Sequence, residues 1–109
     1  MTLPMTLLEQ RCSNAATAIA PPDLPALLAQ VPAWQVVDGQ LERRFGFKNY
    51  YQTMAFVNAL AWVSHHQDHH PELVVNFKDC LVRYQTHSAG PALTLNDFIC
   101  AALADGLTA

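Results

Sequence analysis

Positive charge is scarce in this chain. Lys and Arg number six of 109 residues against nine Asp and Glu, and Arg43-Arg44 is the closest basic pair. Nucleic-acid binding needs a basic face to neutralise phosphates, so a net charge of -3 argues against that partner class. Long apolar runs are missing too. No stretch approaches the roughly eighteen consecutive apolar residues of a membrane-spanning helix, so no membrane partner is expected. The N-terminus carries no basic segment followed by an apolar one, so a secretory leader is not expected either. Cysteine is sparse. Cys12, Cys80 and Cys100 are far apart, odd in number and form no C-x-x-C pair. They suggest no disulfide framework, and a reducing, cytoplasmic setting is the simpler expectation.

What the chain does have is hydrophobic content, at 51%, and a cluster of histidines. The length and composition fit one domain with a modest single core. All five histidines lie between positions 65 and 87, in His65-His66-Gln67-Asp68-His69-His70-Pro71-Glu72 and then Thr86-His87. Imidazole ordinarily titrates near pH 6.5, so it can exchange a proton near neutrality. With only 14% charged residues elsewhere, such concentration points to proton transfer or metal binding.

Residues 1–22 read as a weakly structured N-terminal arm closed by Pro21-Pro22, with a short helix around Leu7 to Arg11 as an alternative. A domain is expected over residues 23–109. Asp23 is placed to cap a short helix that ends before Pro32. Trp34 to Val37 and Gln40 to Phe47 flank Asp38-Gly39, a strong signal for a type I′ hairpin in which Val37 faces Gln40. Leu41, Phe45 and Phe47 make one face of the second strand apolar, and Arg43 interrupts it, as expected near a sheet edge. A long helix follows from Asn49 to about Gln67, with a stripe of Tyr50, Met54, Val57, Ala61 and Ser64. Leu73 to Phe77 and Cys80 to Thr86 then form a second hairpin around Lys78-Asp79, with Val75 facing Val82. Thr94 and Asp97 resemble a capping box opening a last helix that Gly106 ends. The expected fold class is α+β with two layers, a four-stranded antiparallel sheet carrying helices on one face in the order α-β-β-α-β-β-α.

Pro71 disfavours helix at His70, so the long helix is expected to end at His69 with His70 extended at the junction. His87 at the end of the fourth strand would lie diagonally near His70. Three imidazoles converging there would make an acid/base site. His65 and His66 fit a simpler role at the helix C-terminus, where positive charge is favoured. Metal is the competing chemistry: His65 and His69 stand i, i+4, and Asp68 and His87 could add ligands.

Phe45-x-Phe47-Lys48-Asn49-Tyr50, Asp68-His69-His70-Pro71-Glu72, Thr86-His87 and Leu93-Thr94-x-x-Asp97-Phe98 together resemble the pterin-4a-carbinolamine dehydratase family, also known as dimerisation cofactors of a homeodomain transcription factor. The resemblance spans roughly residues 23–105. It implies dehydration of a 4a-hydroxytetrahydropterin to quinonoid dihydropterin without metal or organic cofactor. It carries over His69, His70 and His87 as the catalytic set, and Asp68, Pro71, Thr86 and Ser88 with them as the substrate-binding set. His70 would be a principal acid/base, with His69 and His87 holding the 4a-hydroxyl. A homodimer or homotetramer and a functional link to an aromatic amino acid hydroxylase are also implied. His65 stands where the family commonly has Glu. The alternative class is a non-catalytic dimerisation or interaction module of the same fold, or a His-cluster metal-binding protein.

Overall fold

A computed structural model describes residues 6–109. Residues 1–5 of the arm lie outside the described residues. Helix α1 spans Leu24–Gln30, strand β1 Gln35–Val37, β2 Gln40–Gly46, helix α2 Tyr50–Gln67, β3 Glu72–Val75, β4 Asp79–Tyr84 and helix α3 Leu95–Gly106. The four strands form one antiparallel sheet in the order β1-β2-β4-β3. The two hairpins therefore join through their second strands, with Leu41 opposite Tyr84 and Phe45 opposite Cys80.

The first hairpin forms as its turn residues dictate. Asp38 and Gly39 both take positive φ, 50° and 76°, which a two-residue type I′ turn requires, and Val37 pairs with Gln40. The second hairpin is shifted by two residues from expectation. Val75 pairs with Cys80 and Leu73 with Val82, so the loop is Phe77-Lys78 rather than Lys78-Asp79. Asn76 closes it, its N–H donating to the Asp79 carbonyl at 2.8 Å and its amide to Asp79 Oδ1 at 2.9 Å. A shift of two preserves which side chains face inward, so the apolar face survives the change of register.

Leu41, Phe45, Cys80, Val82 and Tyr84 are buried on the inner face of the sheet, together with Phe56 and Leu60 of α2 and Phe98, Ile99 and Ala101 of α3. Phe45 and Phe56 meet with ring centroids 4.5 Å apart. The buried positions of α2 are Thr53, Phe56, Leu60 and Ser64, one step around the helix from the expected stripe. Tyr50 and Ala61 are exposed. Apolar residues occur on every side of this helix, so periodicity does not select the face; packing against the sheet does.

Arg43 is not near a sheet edge. It sits on β2, in the middle of the sheet opposite Val82. Its guanidinium lies 4.1 Å from the Phe45 ring centroid and donates to Asp105 Oδ1 at 2.6 Å, and the Trp34 indole N–H donates to the same oxygen at 2.7 Å. A cation on the inner side is thus stabilised by a carboxylate at the end of α3. The outer face of the sheet is mixed: Val74 pairs with Leu81, and Arg83 bridges Glu42 at 2.9 Å and Glu72 at 3.0 Å.

Two termini differ from expectation. Pro21–Asp23 form a 3-10 turn leading into α1, and Asp23 makes no side-chain capping bond. Residues 6–20 hold little regular structure beyond a 3-10 turn at Leu7–Glu9, yet they are packed down. Leu7 is buried, Ile19 N–H donates to the Leu93 carbonyl at 2.9 Å, and Ala18 bridges Thr94.

Candidate active site

Helix α2 ends at Gln67, where its periodicity runs out and two residues short of the end at His69 expected from Pro71. Asp68 takes the left-handed conformation at φ 50°, and both its N–H and that of His69 turn back onto the Ser64 carbonyl. This reversal carries His69 off the helix axis and into the domain. His65 and His69 therefore do not share a helical face, and the i, i+4 pairing considered for a metal is not formed. Among the described residues no set of three His, Cys, Asp or Glu converges as a metal-ligating group. His65 and His66 remain exposed on the last turn, where His66 Nδ1 bonds the Trp62 carbonyl at 2.7 Å. His65 makes ring contacts with Trp62 and His66.

Strand β4 ends at Tyr84, short of His87. Thr86 pairs back with Ala92, and His87 opens a 3-10 turn, His87–Ala89. Glu72 pairs with Arg83 rather than Gln85, in keeping with the shifted register. The α2–β3 junction and the chain after β4 nevertheless meet. They enclose a cleft of about 490 Å³ lined by Asp68, His69, His70, Pro71, Thr86, His87 and Ser88, with Gln40, Glu72, Arg83 and Gln85 completing the wall. All seven residues singled out in the sequence fall on it. Such a volume falls in the range of small-molecule sites. A larger hollow of about 630 Å³ lies between β2, α2 and the end of α3, but its one charged side chain, Arg43, is already paired with Asp105. Of the two, the histidine cleft is the one that gathers imidazoles, carboxylates and a guanidinium.

Within that cleft His69 is the anchored imidazole. It is 9% exposed, stacks on Tyr84 at 5.8 Å, and its Nε2 lies 2.6 Å from Asp97 Oδ1. Asp97, on the first turn of α3, is fully buried and held by its other oxygen. Oδ2 accepts from the Thr94 N–H at 2.9 Å and from the Thr86 hydroxyl at 3.0 Å. Since Thr86 spends its proton on Asp97, the 2.7 Å contact between the two hydroxyls runs from Thr94 to Thr86. Burial alone would lower the His69 pKa, but the hydrogen bond and charge of Asp97 outweigh it and raise the value above 6.5. The His69 Nδ1 makes no hydrogen bond among the described residues. His70 and His87 are exposed at the mouth of the cleft.

Sequence reasoning read Asp97 only as a cap. The capping box is real, with Thr94 Oγ1 accepting from Asn96 N–H at 3.2 Å, but the same carboxylate also orients His69. Gln40, Glu72, Arg83 and Gln85 were missed because their side chains reach the cleft only once β2, β3 and β4 are side by side.

A family model described as pterin 4 alpha carbinolamine dehydratase matches residues 17–107. The chain belongs to the pterin-4a-carbinolamine dehydratase family. Among relatives bearing that name, one from Nitrosomonas europaea is 47% identical over 98% of this chain and 97% of its own. Another, from Stenotrophomonas maltophilia strain R551-3, is 56% identical over 78% of this chain and 74% of its own. The solved structure of a transcriptional coactivator/pterin dehydratase from Brucella melitensis superposes with a TM-score of 0.80, covering 85% of this chain and all of that one at 24% identity. At that identity it speaks to the fold: the α+β sheet with helices on one face is the one this family member adopts.

Proposed function

We propose that this chain dehydrates a 4a-hydroxytetrahydropterin by histidine acid/base catalysis. The observation that carries the reading is the convergence of His69, His70 and His87 on one cleft, with His69 fastened to a buried carboxylate. Membership of the family supplies the substrate class.

The reaction breaks the C4a–O bond, forms the C4a=N5 double bond and releases the N5 proton. It therefore needs a donor to the departing hydroxyl and an acceptor near N5. His70, at the exposed junction before Pro71, is assigned as principal acid/base. His69 and His87 hold the 4a-hydroxyl. Asp97 keeps a proton on His69 Nε2 and fixes the ring plane, so Nδ1 is the nitrogen left to face substrate. Positioned proton transfer of this kind contributes about 10²–10⁴-fold per step. No step calls on a metal or organic cofactor. Asp68, Pro71 and Ser88 shape the wall, and the Thr86 hydroxyl serves by supporting Asp97.

We also propose a homodimer or homotetramer. Strand β3 is a sheet edge, with Val74 and Val75 about two-fifths exposed and Phe77 64% exposed beyond it. An unpaired apolar edge of this kind favours strand pairing with a second copy. A cytoplasmic location and service to an aromatic amino acid hydroxylase belong to the same reading.

The test is direct. 4a-Hydroxytetrahydrobiopterin generated in situ should lose water faster in proportion to added protein. An unchanged decay rate at micromolar protein would overturn the proposal in favour of a non-catalytic interaction module.

A further inference from the structure

Two thiols stand beside the cleft without a part in the dehydration. Cys12 Sγ lies 3.6 Å from Cys100 Sγ, although the residues are 88 positions apart. Cys12 is half-buried on the arm, and Cys100 is fully buried on α3. The pair is held in place from outside itself. Cys12 N–H donates to Gln67 Oε1 at 2.9 Å. Asn96 clamps the next residue twice, accepting from Ser13 N–H at 2.9 Å and donating to the Ser13 carbonyl at 2.8 Å. A second, smaller cleft lined by Cys12, Gln67, His69 and Asn96 opens this point to solvent. A disulfide bond is about 2.05 Å long, so closing the pair asks for a movement of about 1.5 Å.

We propose that Cys12 and Cys100 form a peroxide-oxidisable dithiol site whose disulfide state fastens the arm to α3. The Cys12 thiolate attacks one peroxide oxygen, the O–O bond breaks, and the departing hydroxide or alkoxide takes up the proton that Cys12 gave to solvent, so that water or an alcohol is released and a sulfenic acid is left on Cys12. The Cys100 sulfur then attacks the Cys12 sulfur. The S–O bond breaks, the departing hydroxide takes the Cys100 proton, and water is released. Two electrons pass from the two thiols to the peroxide, and an exogenous thiol reverses the change.

The roles of the two sulfurs follow from their surroundings. Cys12 faces the small cleft. Its S–H can donate to the Asn96 carbonyl at 3.6 Å, which leaves the Cys100 S–H to donate to the Cys12 sulfur; that contact, with His69 close by, outweighs burial and holds the Cys12 thiol below the ordinary range. In Cys100 the same hydrogen bond and its burial favour the protonated form, so it waits as the resolving partner. Cys80 is buried on the inner face of β4 and takes no part. Disulfides are rare in reducing compartments, but a transient redox-sensing pair is the kind found there.

The experiment uses the wild-type chain and does not depend on the dehydratase reading. Reduced protein is treated with one equivalent of hydrogen peroxide, denatured, titrated for thiols and mapped by peptide mass spectrometry without reductant. The three free thiols should fall to one, with a Cys12–Cys100 cross-linked peptide that dithiothreitol removes. Cys80→Ser should keep the cross-link, and Cys12→Ser should keep both its remaining thiols. Three thiols after treatment, sulfinic acid on Cys12 without a cross-link, or a cross-link only between two chains would each overturn the proposal.

Discussion

Replacing Asp97 by Asn tests the anchored imidazole most sharply. The carboxylate accepts three hydrogen bonds, from His69 Nε2 on one oxygen and from Thr94 N–H and the Thr86 hydroxyl on the other. An amide offers one accepting oxygen. Keeping the two bonds on the Oδ2 side places its NH2 against His69 Nε2, where a donor already points. His69 must then become the neutral tautomer with its proton on Nδ1. A hydrogen bond to a charged group is worth about 1.5–3 kcal/mol, so the variant should lose about 2 kcal/mol of stability under acid-neutral conditions. For a domain of this size that is a fall in Tm of roughly 8 °C. The difference should depend on pH in a definite direction. The His69 pKa is raised in the folded state, so the stabilisation is fully present below about 6.5 and is lost as pH rises through the higher folded value. Wild type and variant should therefore converge in stability as pH rises past the raised folded value. Dehydratase kcat/KM should fall by about 10²-fold, because the proton sits on the wrong nitrogen. Thermal unfolding across about pH 5–8, beside the pH profile of kcat/KM, reads both effects. A variant with wild-type rates and a constant stability gap across that range would refute the reasoning.

Other outcomes are equally definite. His70→Ala should lower dehydratase turnover by roughly 10²-fold or more with the fold intact by circular dichroism; turnover near wild type would remove His70 from its assigned role. Chelator-treated protein should keep full activity, and loss restored by zinc would revive the metal reading. His65→Ala should change activity only modestly, since His65 is exposed on the last turn of α2, outside the cleft. Light scattering at tens of micromolar should give a homo-oligomer, and a monomer there would count against edge pairing by β3. Arg43→Ala should cost about 1 kcal/mol in urea unfolding, because its ion pair with Asp105 is about a quarter exposed on each side.

The fold was legible wherever a local rule was decisive. Asp38-Gly39 allows one tight turn geometry, so the first hairpin and its register follow from two residues. Thr94 and Asp97 open α3 for the same reason, because the cap satisfies its own backbone groups. The second hairpin shows the limit. Lys78-Asp79 and Phe77-Lys78 both leave Val75 on the apolar side, and the alternation cannot separate them. The closure by Asn76 onto Asp79 decides, along with the Thr53 hydroxyl of α2, which donates to the Phe77 carbonyl at 3.1 Å. Arg43 was misplaced because a lone charge on an apolar face reads as an edge until Asp105, 62 residues away, is known to meet it.

The cleft was legible for a different reason. Its histidines come from two short segments, and antiparallel pairing of β3 with β4 brings the ends of those segments together in either register. A shift of two moves the partner of Glu72 from Gln85 to Arg83 without parting His70 from His87. What the sequence withheld is the partner that anchors His69. Pro71 marks His70 as extended, but nothing near His69 in the chain reveals that the left-handed Asp68 turns it inward against Asp97 and leaves His70 at the mouth. That contact joins residues 28 apart. It depends on α3 docking with its first turn over the end of β4, where Thr86 and Thr94 meet. Burial is what separates the two neighbours, one imidazole oriented by a carboxylate inside the domain and the other exposed at the cleft. Tertiary packing thus supports the division of labour that the family resemblance implies for His69 and His70, and mutating Asp97 should alter the first role while leaving His70 in place.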